Sequence, residues 1–406
     1  MTGSYPKSSR AAWTAVAVLG VVAFLYYLDR LLLTSMRDAV RLDLGMTDAQ
    51  FGLLTSSFLW IYGVFGPLGG LVADRFGRRP TILASLAIWS AGLFFTGQAR
   101  SFHALLGARI LMGISEACFL PTALALISNH HRSRTRSLAT GLFNIGLYAG
   151  SALGGIGGWF AERYSWRTAF TALGVIGVVY TALAAITLED ASSPDVPPGD
   201  EAKGLTAASA MRGLLASSGF RFFVGVFCIV SMANWLFYGW LPTYLRERFH
   251  LSHALAGLSA TGYVPLGAVA GVVLGGLWAD RWNRQEIRAR TWVAATGIAI
   301  AAPAFYLAGL SPAFLGAIAG LLLFGVGRGF FDANCMPILR EISAEKYSAT
   351  GYGLLNMTGC LVGGLTTYGA GALLDAKIPL GVIFRFGAIG MAVGAVALAR
   401  LKPGSR

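Results

Sequence analysis

Gly70-Leu71-Val72-Ala73-Asp74-Arg75-Phe76-Gly77-Arg78-Arg79-Pro80 is the stretch that decides the fold. Long apolar runs flank it, so a dense charge cluster stands where a chain would leave a bilayer. The pattern returns in Gly276-Leu277-Trp278-Ala279-Asp280-Arg281-Trp282-Asn283-Arg284, with Gly, Ala, Asp and both Arg in register and Asn283 in the place of Gly77. A second echo joins Thr140-Gly141-Leu142-Phe143-Asn144 to Tyr352-Gly353-Leu354-Leu355-Asn356. In that register the fourth and tenth apolar runs align, and Glu116 falls opposite Arg328. Repetition on this scale means two copies of one design.

Hydrophobic residues make up 55% of the chain and charged ones 13%. That balance is too apolar for a soluble domain and fits a polytopic membrane protein. The net charge of +13 does not imply nucleic acid, because no basic segment carries interleaved aromatics on a soluble face. Cys118, Cys228, Cys335 and Cys360 lie inside apolar runs at unrelated spacings, so neither a disulfide framework nor a metal site is expected. Residues 1–10 are short and polar, and the apolar run after them is too long for a cleaved signal peptide.

The apolar runs predict twelve membrane helices, each near or above the roughly 20 residues that cross a bilayer. The first six cover 11–34, 48–73, 80–100, 102–128, 135–160 and 166–188. The second six cover 219–246, 253–280, 287–309, 312–340, 347–373 and 379–400. The expected organisation is an N-terminal half over 1–188, a linker over 189–218 and a C-terminal half over 219–406. Cations crowd one side: Arg75, Arg78 and Arg79, then Arg132, Arg134 and Arg136, then Arg281, Arg284, Arg288 and Arg290. Lys7, Arg10, Arg400 and Lys402 join them. The opposite gaps show few, such as Arg100 and Lys377. The positive-inside rule then places both termini in the cytoplasm of a bacterial-type inner membrane.

Within the linker, Glu189, Asp190, Asp195, Asp200 and Glu201 carry charge, while Pro194, Pro197 and Pro198 discourage a helix. Leu205, Ala208, Met211 and Leu215 follow at helical spacing, which allows a short amphipathic helix on the membrane surface or a plain solvated loop. His130 and His131 read as solvated surface in a basic loop.

Ionisable residues deep in an apolar run cost about 2.5–3.5 kcal/mol each on insertion scales, so each needs a reason. Asp29 and Arg30 lie late in the first helix. Arg109 and Glu116 lie in the fourth, close to two turns and about 10 Å apart along one face. Arg328 and Asp332 are spaced for an intrahelical pair in the tenth. In the functional interpretation Arg30 binds an anionic group, because a guanidinium cannot deprotonate and meets a carboxylate with two donors. Glu116 carries the proton, since a partly desolvated carboxyl can titrate near neutral pH. Asp29 is a second carrier, held by its neighbour Arg30 unless Arg30 turns to substrate. Arg109 tunes Glu116 or faces the extracytoplasmic mouth. Arg328 supplies a second cation from the other half, so that one anion could bridge the halves. Buried ion pairs that merely fix helix packing are the competing account.

Tyr26, Tyr27, Trp60, Tyr62, Phe143, Tyr148, Trp235, Tyr238 and Tyr263 could line a cavity with Asn144, Asn334 and Asn356, in a manner suited to a sugar acid. Of these, Tyr27, Tyr148, Asn144, Trp235, Tyr238 and Asn356 join Arg30 and Arg328 as expected substrate contacts. Packing competes for each aromatic, and interhelical hydrogen bonding competes for the asparagines. The series Gly141, Gly146, Gly150, Gly154, Gly157 predicts close helix packing. With no strand before it, it is not a dinucleotide loop.

The Gly-x-x-x-Asp-Arg-x-Gly-Arg-Arg loop resembles that of the major facilitator superfamily of secondary transporters. The resemblance implies an all-α membrane protein with twelve transmembrane helices in two pseudo-symmetric six-helix halves. Its loop cluster, here Asp74, Arg75 and Arg78 with Asp280, Arg281 and Arg284, is expected to latch helices across the interface in the outward-facing state. Pro80 is expected to open the third helix. Tyr27-Leu28-Asp29-Arg30 and the run from Arg109 to Pro121 resemble the anion:cation symporter branch, whose first-helix Arg takes the carboxylate and whose fourth-helix acid couples the proton. They equally resemble the spinster branch of lysolipid and sphingolipid exporters, with its Asp-Arg and Gly-x-x-Glu-Ala. Gly327-Arg328-Gly329-Phe330-Phe331-Asp332 matches neither. Two functions follow: proton-coupled symport of a small organic anion by alternating access, or lysolipid export through a cavity with a lateral opening and an apolar half. A membrane enzyme has no support, because no nucleophile–base constellation stands out. No cofactor is expected beyond the proton gradient. The expected partners are an anionic small molecule and the bilayer, with no nucleic acid, and the protein is expected to be a monomer.

Overall fold

The computed structural model describes residues 9–131, 133–189, 207–343 and 347–401. Lys7, Arg132, Lys402, most of the linker and the side chains of Asp74, Arg134, Arg136 and Ala208 lie outside that description. The first half runs α1 (Ser9–Ser35), α2 (Arg37–Leu44), α3 (Asp48–Phe76), α4 (Arg78–Gln98), α5 (Phe102–His130), α6 (Ser133–Leu153), α7 (Gly157–Arg163) and α8 (Trp166–Thr187). After α9 (Ala207–Ala216) come α10 (Ser218–Phe249), α11 (His253–Trp282), α12 (Ala289–Leu310), α13 (Phe314–Ile342), α14 (Ser348–Asp375) and α15 (Leu380–Arg400).

Among the described residues, eleven helices are long and apolar enough to cross a membrane. The remaining span is α6 with α7, interrupted by a 3-10 turn over Gly154–Ile156. The packing repeats in both halves. In the first, α1 lies on α6, α3 on α5, α4 on α8 and α4 on α5. In the second, α10 lies on α14, α11 on α13, α12 on α15 and α12 on α13. Across the interface α3 meets α14, and α11 meets α6 and α7, a reciprocal pair of contacts that a two-fold axis requires. The outer faces stay apolar, with Ile186, Val179, Leu277, Leu315 and Phe386 at least 64% exposed, as expected for surface that lipid covers.

Glycines set the approach distances. A Cβ at Gly146 would sit 2.2 Å from the Gly20 carbonyl oxygen, and one at Gly150 2.1 Å from that of Phe24. Gly154 and Gly157 press on Leu31 and Leu32, so the expected close packing of α6 on α1 is present, while Gly141 faces open space.

Local chemistry explains several ends that the apolar runs left open. Gly77 has φ 89°, a left-handed conformation that lets α3 turn into α4 through a single residue. Asn283, its counterpart, keeps φ −62°, and the second loop runs on to Arg288 before α12 starts. The third membrane helix begins at Arg78, so Pro80 occupies its first turn rather than opening it; the Pro nitrogen there has no intrahelical partner to lose. α2, which the hydrophobic pattern did not reveal, is amphipathic and ends at Gly45 with φ 62°. α9 realises the helical alternative for the linker, but Leu214 is its buried anchor, against α10 and α14, while Met211 and Leu215 are 42% and 50% exposed. His131 is buried rather than solvated, its ring 4.7 Å from Trp13 and its Nε2 3.2 Å from the Ala12 carbonyl.

Candidate functional site

The four charges of the first half converge. Asp29, Arg109 and Glu116 are at most 3% exposed, and Arg30 is 8% exposed. Arg30 donates from Nε to Glu116 Oε2 at 3.0 Å and from Nη2 to the Tyr26 hydroxyl. Its guanidinium carbon lies 4.1 Å from the Tyr26 ring centre, 4.3 Å from Tyr62, 4.8 Å from Phe58 and 5.5 Å from Tyr27. Four π faces and one carboxylate thus hold a cation in a dry site. Phe58 was not visible in the sequence as a site residue, because one Phe among 25 carries no signal of its own.

Asp29 does not pair with Arg30. Its Oδ2 accepts from Trp89 Nε1 at 2.9 Å, and its Oδ1 has no partner. Glu116 Oε1 and Arg109 Nε are likewise buried without a partner. Arg109 points inward rather than to the mouth of the bundle, 5.9 Å from the Phe58 ring and 6.0 Å from Phe170. It acts electrostatically on both Asp29 and Glu116. The quartet is neutral in total, two cations and two carboxylates, yet three of its polar atoms are unsatisfied. Such atoms are costly when buried and mark a place where protonation or a ligand changes the balance.

In the second half Arg328 Nε donates to Asp332 Oδ2 at 3.1 Å, the pair expected from their spacing. The pair acts electrostatically on Tyr148, and Arg328 acts on Tyr27 across the interface. Tyr238 lies close to Tyr27, Tyr148 and Arg328 and 6.3 Å from the Trp235 ring. These residues therefore meet between the halves. Asn144 and Asn356 are half-buried and make no hydrogen bond with described residues. Asn334 is buried and spends its amide on the Phe330 carbonyl of its own helix, so it offers no free donor to a ligand there. Phe143 is fully buried beside Phe119, and Trp60 donates to the Leu361 carbonyl across the interface, so both are packing residues.

The ends of the bundle differ. At the end away from the loop motifs, Asp375 accepts from the Asp48 and Ala49 amides. Glu162 Oε1 accepts from the His253 amide at 2.5 Å, and Thr261 joins Gly155 and Ala152. Asp38 takes Arg246 at 2.5 Å and Arg37 at 2.6 Å, and Arg37 also holds Asp48. This end carries more cations than the few first counted. Its arginines are matched by acids, which is why they add little to the charge asymmetry. At the other end the loop motifs stay within their own halves. Arg78 donates to the Ala125 carbonyl at 3.3 Å, Arg79 to that of Leu188 at 2.7 Å, and Arg290 pairs with Asp280 at 3.2 Å. Arg75, Arg281 and Arg284 are exposed. Among the described residues no hydrogen bond or ion pair joins the halves there.

A twelve-span bundle of two repeated halves, closed at one end around a buried charged site, defines a secondary transporter of the alternating-access class. The family profile described as Major Facilitator Superfamily matches residues 19–367, and the chain belongs to that family. It is 26% identical over 373 residues to an MFS-type efflux pump of Mycolicibacterium smegmatis, covering 90% of this chain and 85% of that one. It is 26% identical over 405 residues to the probable galactarate/D-glucarate transporter GudP of Bacillus subtilis, covering 91% and 87%. The crystal structure of a bacterial homolog to the human lysosomal transporter Spinster, inward-facing and unoccupied, superposes with TM-score 0.79 at 21% identity over 97% of this chain and 95% of that one. The chain is accordingly an integral membrane transporter and not an enzyme.

Proposed function

We propose that the protein is a proton-coupled symporter of a small organic anion, a sugar acid or related carboxylate. It works as a monomer in a bacterial-type inner membrane with both termini in the cytoplasm. The observation that carries this is the Arg30–Glu116 pair, buried at 3.0 Å inside a ring of aromatic faces. A substrate carboxylate would compete with Glu116 for the same guanidinium. Glu116, deprived of its counter-charge in a dry site, would then take a proton, because an unpaired buried carboxylate is far costlier than a neutral carboxyl. Substrate and proton are thereby bound together, and the site regains neutrality. Asp29, Trp89 and Arg109 hold the second carboxylate close enough to share that proton.

The halves over 1–188 and 219–406 would rock about the site, joined by the linker over 189–218. With the loop motifs in the cytoplasm, the described conformation faces inward. In the opposite state Asp74, Arg75 and Arg78, with Asp280, Arg281 and Arg284, would latch the cytoplasmic end. The sugar-acid relative supports the substrate class, and the efflux-pump relative makes direction a quantity to measure.

The test is uptake into proteoliposomes with a pH dye inside, across a panel of sugar acids and small carboxylates, with gradients imposed both ways. Lumen acidification by one anion class, absent in Glu116→Gln, is the expected result. Accumulation by Glu116→Gln down a pH gradient would place the proton elsewhere. Silence across the panel with folded protein would turn the assignment to lysolipid export.

A further inference from the structure

We infer that Arg328 is the second anchor of the substrate and that the preferred substrate is a dianion with an oxyanion at each end. The inference rests on the symport reading above and narrows its substrate class.

Tyr27 carries the geometry. The Arg30 guanidinium lies 5.5 Å from its ring centre, and Arg328, from the opposite half, acts electrostatically on the same side chain. Two guanidinium groups from two halves therefore flank one tyrosine. Arg328 uses Nε on Asp332, but its buried Nη1 has no acceptor among the described residues. A guanidinium is a planar fork with five donors, and a carboxylate or sulfonate can take two of them in parallel. The unfilled Nη1 leaves the outer edge of the fork open for such a group. Asp332 sits on the next turn of α13 and steadies the guanidinium without using that edge.

Each arginine brings its own acid, Glu116 for Arg30 and Asp332 for Arg328. The empty site is thus balanced separately on each side of the interface. A monoanion engages one side only. A dianion engages both, and it draws the halves together because its two ends are bound by different halves. Only a ligand that binds one state better can shift the equilibrium between states. The tyrosines that share this space, Tyr27, Tyr148 and Tyr238, supply hydroxyls for the middle of a hydroxylated chain.

The experiment compares acid pairs of four to six carbons that differ only in the far end, for example gluconate against glucarate. The protein is reconstituted whole, and lumen acidification is read for wild type and Arg328→Gln. The expected wild-type result is at least a tenfold lower half-saturating concentration for diacids than for matched monoacids. Arg328→Gln should abolish that advantage while changing monoacid uptake less than threefold. Equal loss for both classes would assign Arg328 a structural role and overturn the inference, as would a wild-type preference for monoacids. The wild-type comparison needs no variant, so it stands even if Arg328→Gln does not insert. Absence of acidification with every acid would overturn the symport reading itself and this inference with it.

Discussion

The Asp375 carboxylate, at the last residue of α14, receives the backbone amides of Asp48 at 3.0 Å and Ala49 at 2.8 Å, at the first turn of α3. One half thereby caps a helix of the other. A carboxylate there satisfies two otherwise free amides and faces the positive end of the helix. Asp375 is exposed, so solvent holds its contribution near the low end of capping values, about 1 kcal/mol. Asp375→Ala should open this end about fivefold more often. Cys360, buried beside Gly63 in the same α3–α14 contact, is a native reporter. With the other three cysteines replaced, its labelling by a membrane-impermeant thiol reagent should rise about fivefold. Unchanged labelling would show that the cap does not hold the gate.

Gly155 and Gly150 lie five residues apart and predict different failures. A Cβ on Gly155 would sit 2.0 Å from the Gly257 carbonyl carbon, across the interface, whereas one on Gly150 meets Phe24 within the same half. Gly155→Ala should keep the fold but prevent closure, reducing transport at least tenfold with little change in Tm. Gly150→Ala should destabilise the first half by about 1–3 kcal/mol, visible as a lower Tm in detergent. Identical behaviour of the two variants would contradict the distinction.

Removing the Arg30 charge and removing its fork are separable. Arg30→Ala abandons Glu116 in the interior, a change of about 3–5 kcal/mol for a broken buried pair, and should abolish substrate binding. Arg30→Lys keeps the charge and loses the bidentate geometry. It should insert normally and bind about tenfold more weakly, equivalent to about 1.4 kcal/mol. Substrate-induced thermal stabilisation in detergent measures both. Wild-type affinity in Arg30→Lys would show that only charge matters.

Asp74 offers a test of the loop motif. The described conformation leaves the two motifs in separate halves, so their proposed latch acts in the other state. Asp74→Asn should therefore slow turnover while leaving substrate affinity within about twofold, since topology needs the arginines but not the acid. Proteoliposome exchange rates and equilibrium binding separate the two effects. Wild-type rates would reduce the motif to an orientation signal.

Much of this was legible in the chain. The echo of Asp74-Arg75 in Asp280-Arg281 gave the duplication, because each copy must leave the bilayer through a similar charged turn. Apolar runs located the spans to within a few residues, since lipid leaves helices as the only way to satisfy backbone groups in such segments. Asp29, Arg30, Arg109 and Glu116 declared themselves by their cost in an apolar setting. Pairing was not legible. Adjacent residues on a helix point about 100° apart, so Asp29 and Arg30 face different neighbours, and only the packed bundle assigns Trp89 to one and Glu116 to the other. Phe58 and the far-end cluster of Arg37, Asp38, Arg246 and His253 were silent for the same reason: each is ordinary in its own segment.

What the sequence by itself determined, then, is a membrane transporter of two repeated halves with charges placed deep in its first and tenth spans. Composition, run length and repetition are local quantities, and they survive without knowledge of contacts. What only the tertiary structure decided is which end is shut, which carboxylate holds Arg30, and that Tyr27 stands between cations from opposite halves. Those facts depend on helix rotation and on glycine-limited approach, both set by packing between segments far apart in the chain.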